Sequence, residues 1–368
     1  MIEKFIDILI KNPILNNYTK FYLGGDVGGT YTRFGAAGIK NNKPELIFTT
    51  KFETSSIDSV VYAINKTLSV AKEKFNIDIN SACVGSAGVV SDNKNHVDLT
   101  NAKWSLDIDQ IKQETSLKNV YLINDFQAIG YGINLLDETN NEELTVVRQK
   151  EDNNFETKAV IGAGTGLGKC ILYFSKKRNC YMPLASEGGN SDFPAYNNYE
   201  IELVNYIKKI RNISKPLVYE EFLSGRGIEG IYEFLKQKNE FSESTYSKEI
   251  EKNNNSASAI SEYKDKDETC KKTFELFSRF YARCAKNFAL DTLCKGGMYI
   301  AGGIALKNSE IINSKEFISE FNNGNRREDF LKSVPIYLIK DPLVAIKGAC
   351  FATMIYDNGE DANWVTMQ

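Results

Sequence analysis

Hydrophobic and polar positions change period several times along the chain, and each change marks a predicted element. Phe21-Tyr-Leu enters the Gly-rich stretch Gly24 to Thr30, and a second β-like run from Thr32 to Ile39 leaves it almost at once. That pattern predicts strand–turn–strand rather than strand–turn–helix. A third strand is expected at Leu46 to Phe52. From Ile57 to Phe75 the period lengthens, with Val60, Val61, Ile64, Leu68 and Ala71 at helical spacing. Short apolar runs at Ala82–Val84 and Val120–Ile123 read as strands, and Phe126 to Leu136 as a helix.

The pattern then recurs more loosely. Lys158 to Gly162 reads as a strand, Ala163 to Gly168 as a Gly-rich turn, and Lys169 to Phe174 as the returning strand. Two such units suggest related halves facing a cleft, while a chance recurrence of glycine hairpins stays open. Lys236 to Thr269 is polar and repetitive and reads as a solvated or partly disordered insertion. A long helix follows, its Phe274, Phe277, Phe280, Tyr281, Cys284, Phe288 and Leu293 on or near one face, the mark of packing against a core. Met298–Ala301 is a strand ending in Gly302-Gly303, Val334–Ile339 a last strand, and Leu343–Tyr356 a closing helix. Hairpin strands followed by alternating helix and strand predict an α/β layer fold with a mixed sheet.

Composition narrows the function classes. The 368 residues suggest about two domains. A net charge of −3 argues against a nucleic-acid binder that works by phosphate neutralisation, yet allows one small anion in a local pocket. No apolar run is long enough for a membrane span, and Met1 to Lys20 carries too many charges for a secretory signal. The C-terminal residues carry no peroxisomal Ser-Lys-Leu, so a cytoplasmic location is the default. The seven cysteines form no C-x-x-C pair, and with the single His96 they build no zinc site of usual spacing, which points to reduced buried thiols. His96 lies in what reads as a polar loop, Asp92 to Asp98, and reads as solvated, so a catalytic base is expected to be a carboxylate.

Three glycine turns carry the candidate chemistry. In the first, Gly28 and Gly29 would let backbone N–H groups approach an anion and adopt torsions closed to other residues. Asp26 could hold a water of a hydrated Mg²⁺, Thr30 adds a hydroxyl, and Arg33 offers charge to a phosphate. The second, Gly162-Ala-Gly-Thr-Gly-Leu-Gly168, places Gly164 and Gly166 around Thr165. The third holds Gly302 and Gly303 after a strand, suited to a flat ring against bare backbone. Together they fit a nucleotide better than any one alone. Asn124 and Asp125 follow a strand's apolar end, where a carboxylate either takes a proton from an attacking hydroxyl or simply caps the next helix. Glu187, Asn190 and Glu220 are polar positions beside apolar stretches, of the kind that suit sugar hydroxyls, though Glu220-Glu221 taken singly reads as a solvated helix turn and Thr100-Asn101 as an ordinary turn.

In this order the motifs resemble the bacterial-type glucokinases of the actin-like, or ribonuclease H-like, sugar-kinase superfamily. The pieces are Asp26-Val-Gly-Gly-Thr30, Thr100-Asn101 with Trp104, Ile123-Asn-Asp-Phe126, Gly162 to Gly168, Glu187-Gly-Gly, Leu223-Ser-Gly225 and Ala301-Gly-Gly-Ile304. The resemblance implies a two-domain actin-like ATPase fold with a cleft between a small domain (1–123 plus 341–368) and a large one (124–340). It implies ATP-dependent phosphorylation of glucose to glucose 6-phosphate, a step of glycolysis, with Asp125 as general base for the 6-hydroxyl. Asn101, Asn124, Glu187 and Glu220 would bind the other hydroxyls, and Asn190 stands where the family usually has His. Asp26 to Thr30 and the Gly162–Gly168 loop would hold the ATP phosphates and Mg²⁺, with Gly302 and Gly303 near the adenosine. Closure over glucose would exclude water.

Besides Asn190, two further departures stand out. Cys83-Val-Gly-Ser-Ala-Gly88 replaces a proline-containing turn, and the insertion from 236 to 269 is long. A kinase for an amino or N-acetylated hexose and a non-catalytic sugar sensor of the same fold remain as alternatives. The repressor/ORF/kinase group is disfavoured, because its cysteine-rich zinc motif is absent. An actin-like cytoskeletal or chaperone ATPase would lack the Asn124-Asp125 and Glu187-Gly-Gly pieces. The sequence leaves a homodimer open.

Overall fold

The first glycine turn is a hairpin, as its pattern requires. In a computed structural model describing residues 5–90, 95–99, 104–149, 155–253 and 256–359, β1 (Ile6–Ile8) is followed by β2 (Phe21–Val27), β3 (Tyr31–Lys40) and β4 (Lys43–Glu53), each neighbour antiparallel. Helix α1 (Val60–Phe75) starts where the Ser59 hydroxyl accepts from the Tyr62 N–H at 3.2 Å, and it stops at Asn76 in the left-handed conformation. The parallel strand β5 (Ser81–Ser86) leads to a small antiparallel sheet of β6 (Gly88–Val90), β7 (His96–Leu99) and β8 (Ser105–Asp107). Helix α2 (Ile108–Glu114), β9 (Asn119–Asn124) and α3 (Asp125–Gly132) complete this run, and the main sheet reads β1-β4-β3-β2-β5-β9. His96 therefore lies on a strand rather than in a loop. Asp98 bonds it at 3.0 Å and, with Asp107, raises its pKa.

The second stretch holds β10 (Leu144–Arg148), β11 (Lys158–Ala163), β12 (Leu167–Ser175), β13 (Cys180–Ser186), α4 (Asn198–Ile210), α5 (Gly225–Lys238), α6 (Thr245–Lys252), α7 (Ser256–Glu262) and α8 (Glu268–Thr292). It ends with β14 (Gly297–Ala301), α9 (Gly303–Lys307), α10 (Lys315–Asn322), α11 (Glu328–Ser333), β15 (Ile336–Ile339) and α12 (Val344–Asp357). Five of these strands run β10-β15-β14-β11-β12, with β15, β14 and β11 mutually parallel. The aromatic stripe of α8 is core, as expected: Phe274, Phe277, Phe280, Tyr281 and Phe288 are all buried. Each contributes on the order of 1.5–3 kcal/mol by leaving water.

Two units separate. One comprises residues 1–137, 175–185 and 341–368, the other 138–174 and 186–340. The expected boundary at 123/124 thus falls inside the first unit. The reason is a backbone-to-backbone contact: a Cβ on Gly348 of α12 would lie 1.8 Å from the Ala128 carbonyl, and one on Gly132 would lie 2.3 Å from that of Val344. Only glycines let α3 and α12 approach so closely. Each unit has its own core, one centred on Ile64, Val84 and Leu122, the other on Phe222, Phe277 and Ile300.

The described residues of the polar stretch from 236 to 269 are largely helical rather than disordered, and 254 and 255 lie outside the described residues. They fold as the end of α5, then α6 and α7, because a few apolar residues at helical spacing are enough to anchor them: Ile250, Ala259 and Ile260 are buried. Asp267 caps α8 by accepting from the Cys270 N–H at 2.8 Å. Leu293, 60% exposed, ends α8 at φ 47°, a left-handed conformation that costs a side-chain-bearing residue about 1 kcal/mol. Leu293→Asn is expected to raise the melting temperature by a few degrees; a fall on calorimetry would contradict that strain. Among the described residues no helix is long and apolar enough to cross a membrane.

Candidate active site

Three parallel strands bring one set of candidates to their carboxyl ends. Asp26 on β2 faces Gly85 on β5, and Gly85 faces Ile123 on β9, so Asp26 and the Asn124-Asp125 pair lie on the two sides of β5. With strands ~4.8 Å apart, the Asp26 and Ile123 backbones are about 10 Å apart. The ends of parallel strands are where α/β sheets bind ligands. Burial pushes the Asp26 carboxyl above its ordinary pKa, with Arg33 across the rung opposing that rise. The two form no ion pair, and the Arg33 guanidinium instead lies 5.7 Å from the Tyr31 ring. A desolvated carboxylate short of positive charge suits a hydrated Mg²⁺ brought in by a nucleotide, so Asp26 fits the role expected of it.

The hairpin tip is held from below. The Thr54 hydroxyl donates to the Gly28 carbonyl at 2.8 Å, the Gly28 N–H donates to Tyr31 O at 3.0 Å, and Gly29 and Thr30 are left exposed. The torsion argument for these glycines does not hold, because the positive-φ glycines among the described residues are Gly297 and Gly302. Closeness is what matters at Gly28, where a Cβ would stand 3.3 Å from Tyr31 O.

Asn124, not Asp125, is the N-cap of α3. Its side chain accepts from the Phe126 N–H at 2.9 Å, and the Gln127 side chain returns a bond to the Asn124 N–H at 3.1 Å. Asp125 occupies the first helical position, its Oδ1 also 2.9 Å from the Phe126 N–H, at the positive end of the helix. Asn124 is thus the N-cap, and Asp125 shares its bond to the Phe126 N–H. Asn101 and Thr100 lie outside the described residues.

The second unit gathers the remaining candidates. β11 and β14 are adjacent and parallel, so the Gly162–Gly168 loop and Gly302-Gly303 emerge side by side. The buried Tyr281 hydroxyl lies beneath both, receiving the Ala163 N–H at 3.2 Å and lying 3.4 Å from the Ile161 and Ala301 carbonyls. Gly302 sits at φ 92°, and a Cβ there would strike Ala163 O at 2.4 Å. Gly164 and Gly303, by contrast, face open space within 4 Å, room for a ligand against bare backbone. Thr165 is exposed at the loop tip.

Glu187 and Asn190 share one tight turn, where the Asn190 amide donates to Glu187 Oε2 at 3.2 Å. The turn is stitched to the segment before Glu220 through Tyr219 N–H to Ser191 O at 2.9 Å. Glu220 in turn accepts from the Leu167 N–H at 3.0 Å, and a Cβ on Gly166 would meet its Oε2 at 2.6 Å. Glu187, Asn190 and Glu220 are thus joined to the glycine loop as one assembly. Sequence reading missed Arg226, which pairs with both Glu220 and Glu221 at 2.9 Å, and Lys169, buried beside the Glu187 turn. A lysine at an inward position of a strand was the available signal for the second.

The chain is similar to known proteins over most of its length. A family model described as Glucokinase matches residues 23–355. The glucokinase of Nostoc punctiforme is 33% identical over 341 residues, covering 89% of this chain and 97% of its own. That of Neisseria gonorrhoeae is 30% identical over 335 residues, covering 90% and 94%. Among solved structures, glucokinase from Balamuthia mandrillaris in complex with glucose superposes with a TM-score of 0.76 at 19% identity, covering 91% and 93%. A ROK family glucokinase from Streptomyces griseus in complex with glucose and AMPPNP gives 0.61 at 17%, covering 90% and 99%. The fold is accordingly the two-domain, actin-like α/β fold of these sugar kinases.

Proposed function

Because the chain belongs to the glucokinase family, we propose that it transfers the γ-phosphoryl group of ATP to the 6-hydroxyl of glucose, giving glucose 6-phosphate and ADP. The observation that carries this is the assembly of Glu187, Asn190 and Glu220 on the same glycine loop, hydroxyl-binding side chains beside a backbone cradle. Carboxylates and amides accept and donate to several hydroxyls at once, as a hexose requires.

Asp125 is assigned as general base. As O6 attacks phosphorus, the O6–H bond breaks to the Asp125 carboxylate, the bond from phosphorus to the bridging oxygen breaks, and ADP carries the electron pair away. Asn124, fixed as the N-cap of α3, and Asn101 bind the sugar. N–H groups of the loops around Gly28, Gly29, Gly164 and Gly166, with Thr30, Thr165 and Arg33, take the phosphate charge. Gly302 and Gly303 leave bare backbone for the adenosine. Mg²⁺ carried by the nucleotide would be held through water by Asp26 and would neutralise phosphate charge.

A place in glycolysis follows from that product, and a cytoplasmic location suits a chain whose seven cysteines are all buried. Light scattering on a sizing column separates a monomer from the homodimer left open by the sequence. The deciding experiment is ADP formation from Mg-ATP with and without glucose. A large glucose-dependent rate is expected. Unstimulated ATP turnover, with glucose still raising the melting temperature, would instead identify a sensor that kept the pocket and lost the chemistry.

A further inference from the structure

We propose that Lys169 makes the sugar site selective for neutral over cationic hexoses, through an ammonium held beneath the turn that carries Glu187 and Asn190. The inference rests on the glucokinase reading above and concerns which sugars that site accepts.

Lys169 follows the glycine loop on β12 and is only 4% exposed. Its Nζ lies 5.5 Å from the Tyr219 ring centroid and 5.1 Å from that of Phe288. On the other side is the sugar turn: a Cβ on Gly188 would stand 2.9 Å from the Lys169 Cδ and 3.3 Å from its Nζ. Gly188 is the residue next to Glu187. Among the described residues no carboxylate forms an ion pair with Lys169. Its ionisable neighbours are Cys284 on α8, which it also hydrogen-bonds, with Asp291 beyond, and Tyr219; Glu187 is next to Gly188 in the chain, and Glu220 next to Tyr219. Burial pushes the Cys284 thiol up to about 11, and the nearby Lys169 charge works against that rise.

An apolar side chain would fill this inward strand position without desolvating a charge. Ring faces compensate an ammonium in part, since they attract cations. What the charge adds is a positive field, little screened by water, acting on the turn above it. Glu220 is already paired with Arg226 at 2.9 Å, whereas Glu187 has the neutral Asn190 amide beside it and would by itself attract a protonated amino sugar. Lys169 cancels part of that attraction while leaving the hydrogen-bonding capacity of the Glu187 carboxylate for neutral hydroxyls. A neutral hexose loses nothing by this arrangement, and a 2-ammonium sugar does.

The test compares kcat/KM for glucosamine, mannose and glucose. At about pH 6.5, where the sugar amine is protonated, Lys169→Met is expected to raise the glucosamine-to-glucose ratio roughly tenfold, while the mannose-to-glucose ratio stays within about twofold. Lys169→Arg keeps the wild-type ratios. In the wild type the glucosamine ratio climbs as the amine deprotonates toward about pH 8.5, and in Lys169→Met that climb is flatter. An unchanged glucosamine ratio overturns the proposal. So does a mannose ratio that moves equally, because that marks a packing role. If Lys169→Met does not fold, Lys169→Gln and the wild-type pH profile decide, and a wild-type ratio that stays flat with pH overturns it. A wild type inactive on glucose defeats the glucokinase reading, whereas an active one with unaltered ratios defeats only the role of Lys169.

Discussion

Asp125→Ala is expected to give a folded protein that binds glucose and turns it over about a thousandfold more slowly, within the range typical of a lost general base. The size of the loss follows from what Asp125 does and does not do in the fold. Its helix is capped by Asn124, whose side chain and the Gln127 side chain close the reciprocal box at the start of α3. Removing the Asp125 carboxylate therefore leaves the cap standing. It deletes one negative charge at a helix N-terminus, costing about 0.3–1 kcal/mol of stability. A drop of a few degrees in melting temperature with a collapse in kcat separates the chemical role from the structural one. Glucose affinity, followed by calorimetry, is expected to change by no more than a few-fold, since the hydroxyl contacts assigned to Asn124, Glu187 and Glu220 survive. Near-normal turnover would show that another group takes the proton. A variant that melts far below the wild type would show that Asp125 holds the end of β9 in place.

Much of this site was legible in the sequence because its parts are punctuation. Glycine turns directly after apolar runs mark where strands end, and strand ends are where a mixed sheet exposes polar backbone. Asp26, Asp125, Gly164 and Gly302 were singled out that way, and each stands at or just past the end of a strand. What one sequence could not supply was the packing. Nothing local says that α3 and α12 touch through Gly132 and Gly348, a contact spanning more than two hundred residues, so the unit boundary was drawn too early. The polar composition from 236 to 269 concealed three anchoring positions, Ile250, Ala259 and Ile260, whose value appears only once there is a core to bury them. Lys169 and Arg226 were missed for the same reason. A charged residue reads as solvent-facing until its neighbours from distant segments are in place.

The largest loss of stability is expected at Arg283, a residue with no part in the chemistry. Its side chain is 1% exposed and grips Glu200, itself 2% exposed, through two bonds of 2.7 and 3.0 Å. Its Nε donates to Glu320 at 3.0 Å, another nitrogen donates to the Pro194 carbonyl at 2.9 Å, and the guanidinium lies 3.6 Å from the Tyr196 ring centroid. Lys286 shares Glu320 at 3.2 Å. Arg283→Met fills most of the volume but leaves Glu200 buried without its cation, so destabilisation of about 3–5 kcal/mol is expected. Glu200→Leu combined with Arg283→Met removes both charges and should recover part of that loss, because the penalty comes from the orphaned partner rather than from the missing bond. The pH dependence gives an independent reading. Burial alone would raise the Glu200 pKa, yet the Arg283 bonds and the Tyr196 N–H outweigh it and hold the carboxyl below its ordinary value. A group lowered in this way contributes stability above its unfolded pKa of about 4.3 and loses it as pH falls through the folded value. The gap between wild type and Arg283→Met in urea titrations is therefore expected to be full at neutral pH and to narrow below about pH 4. A gap under about 1 kcal/mol at neutral pH would mean that water replaces the guanidinium at no cost, and a gap that widens in acid would reverse the sign assigned to Glu200.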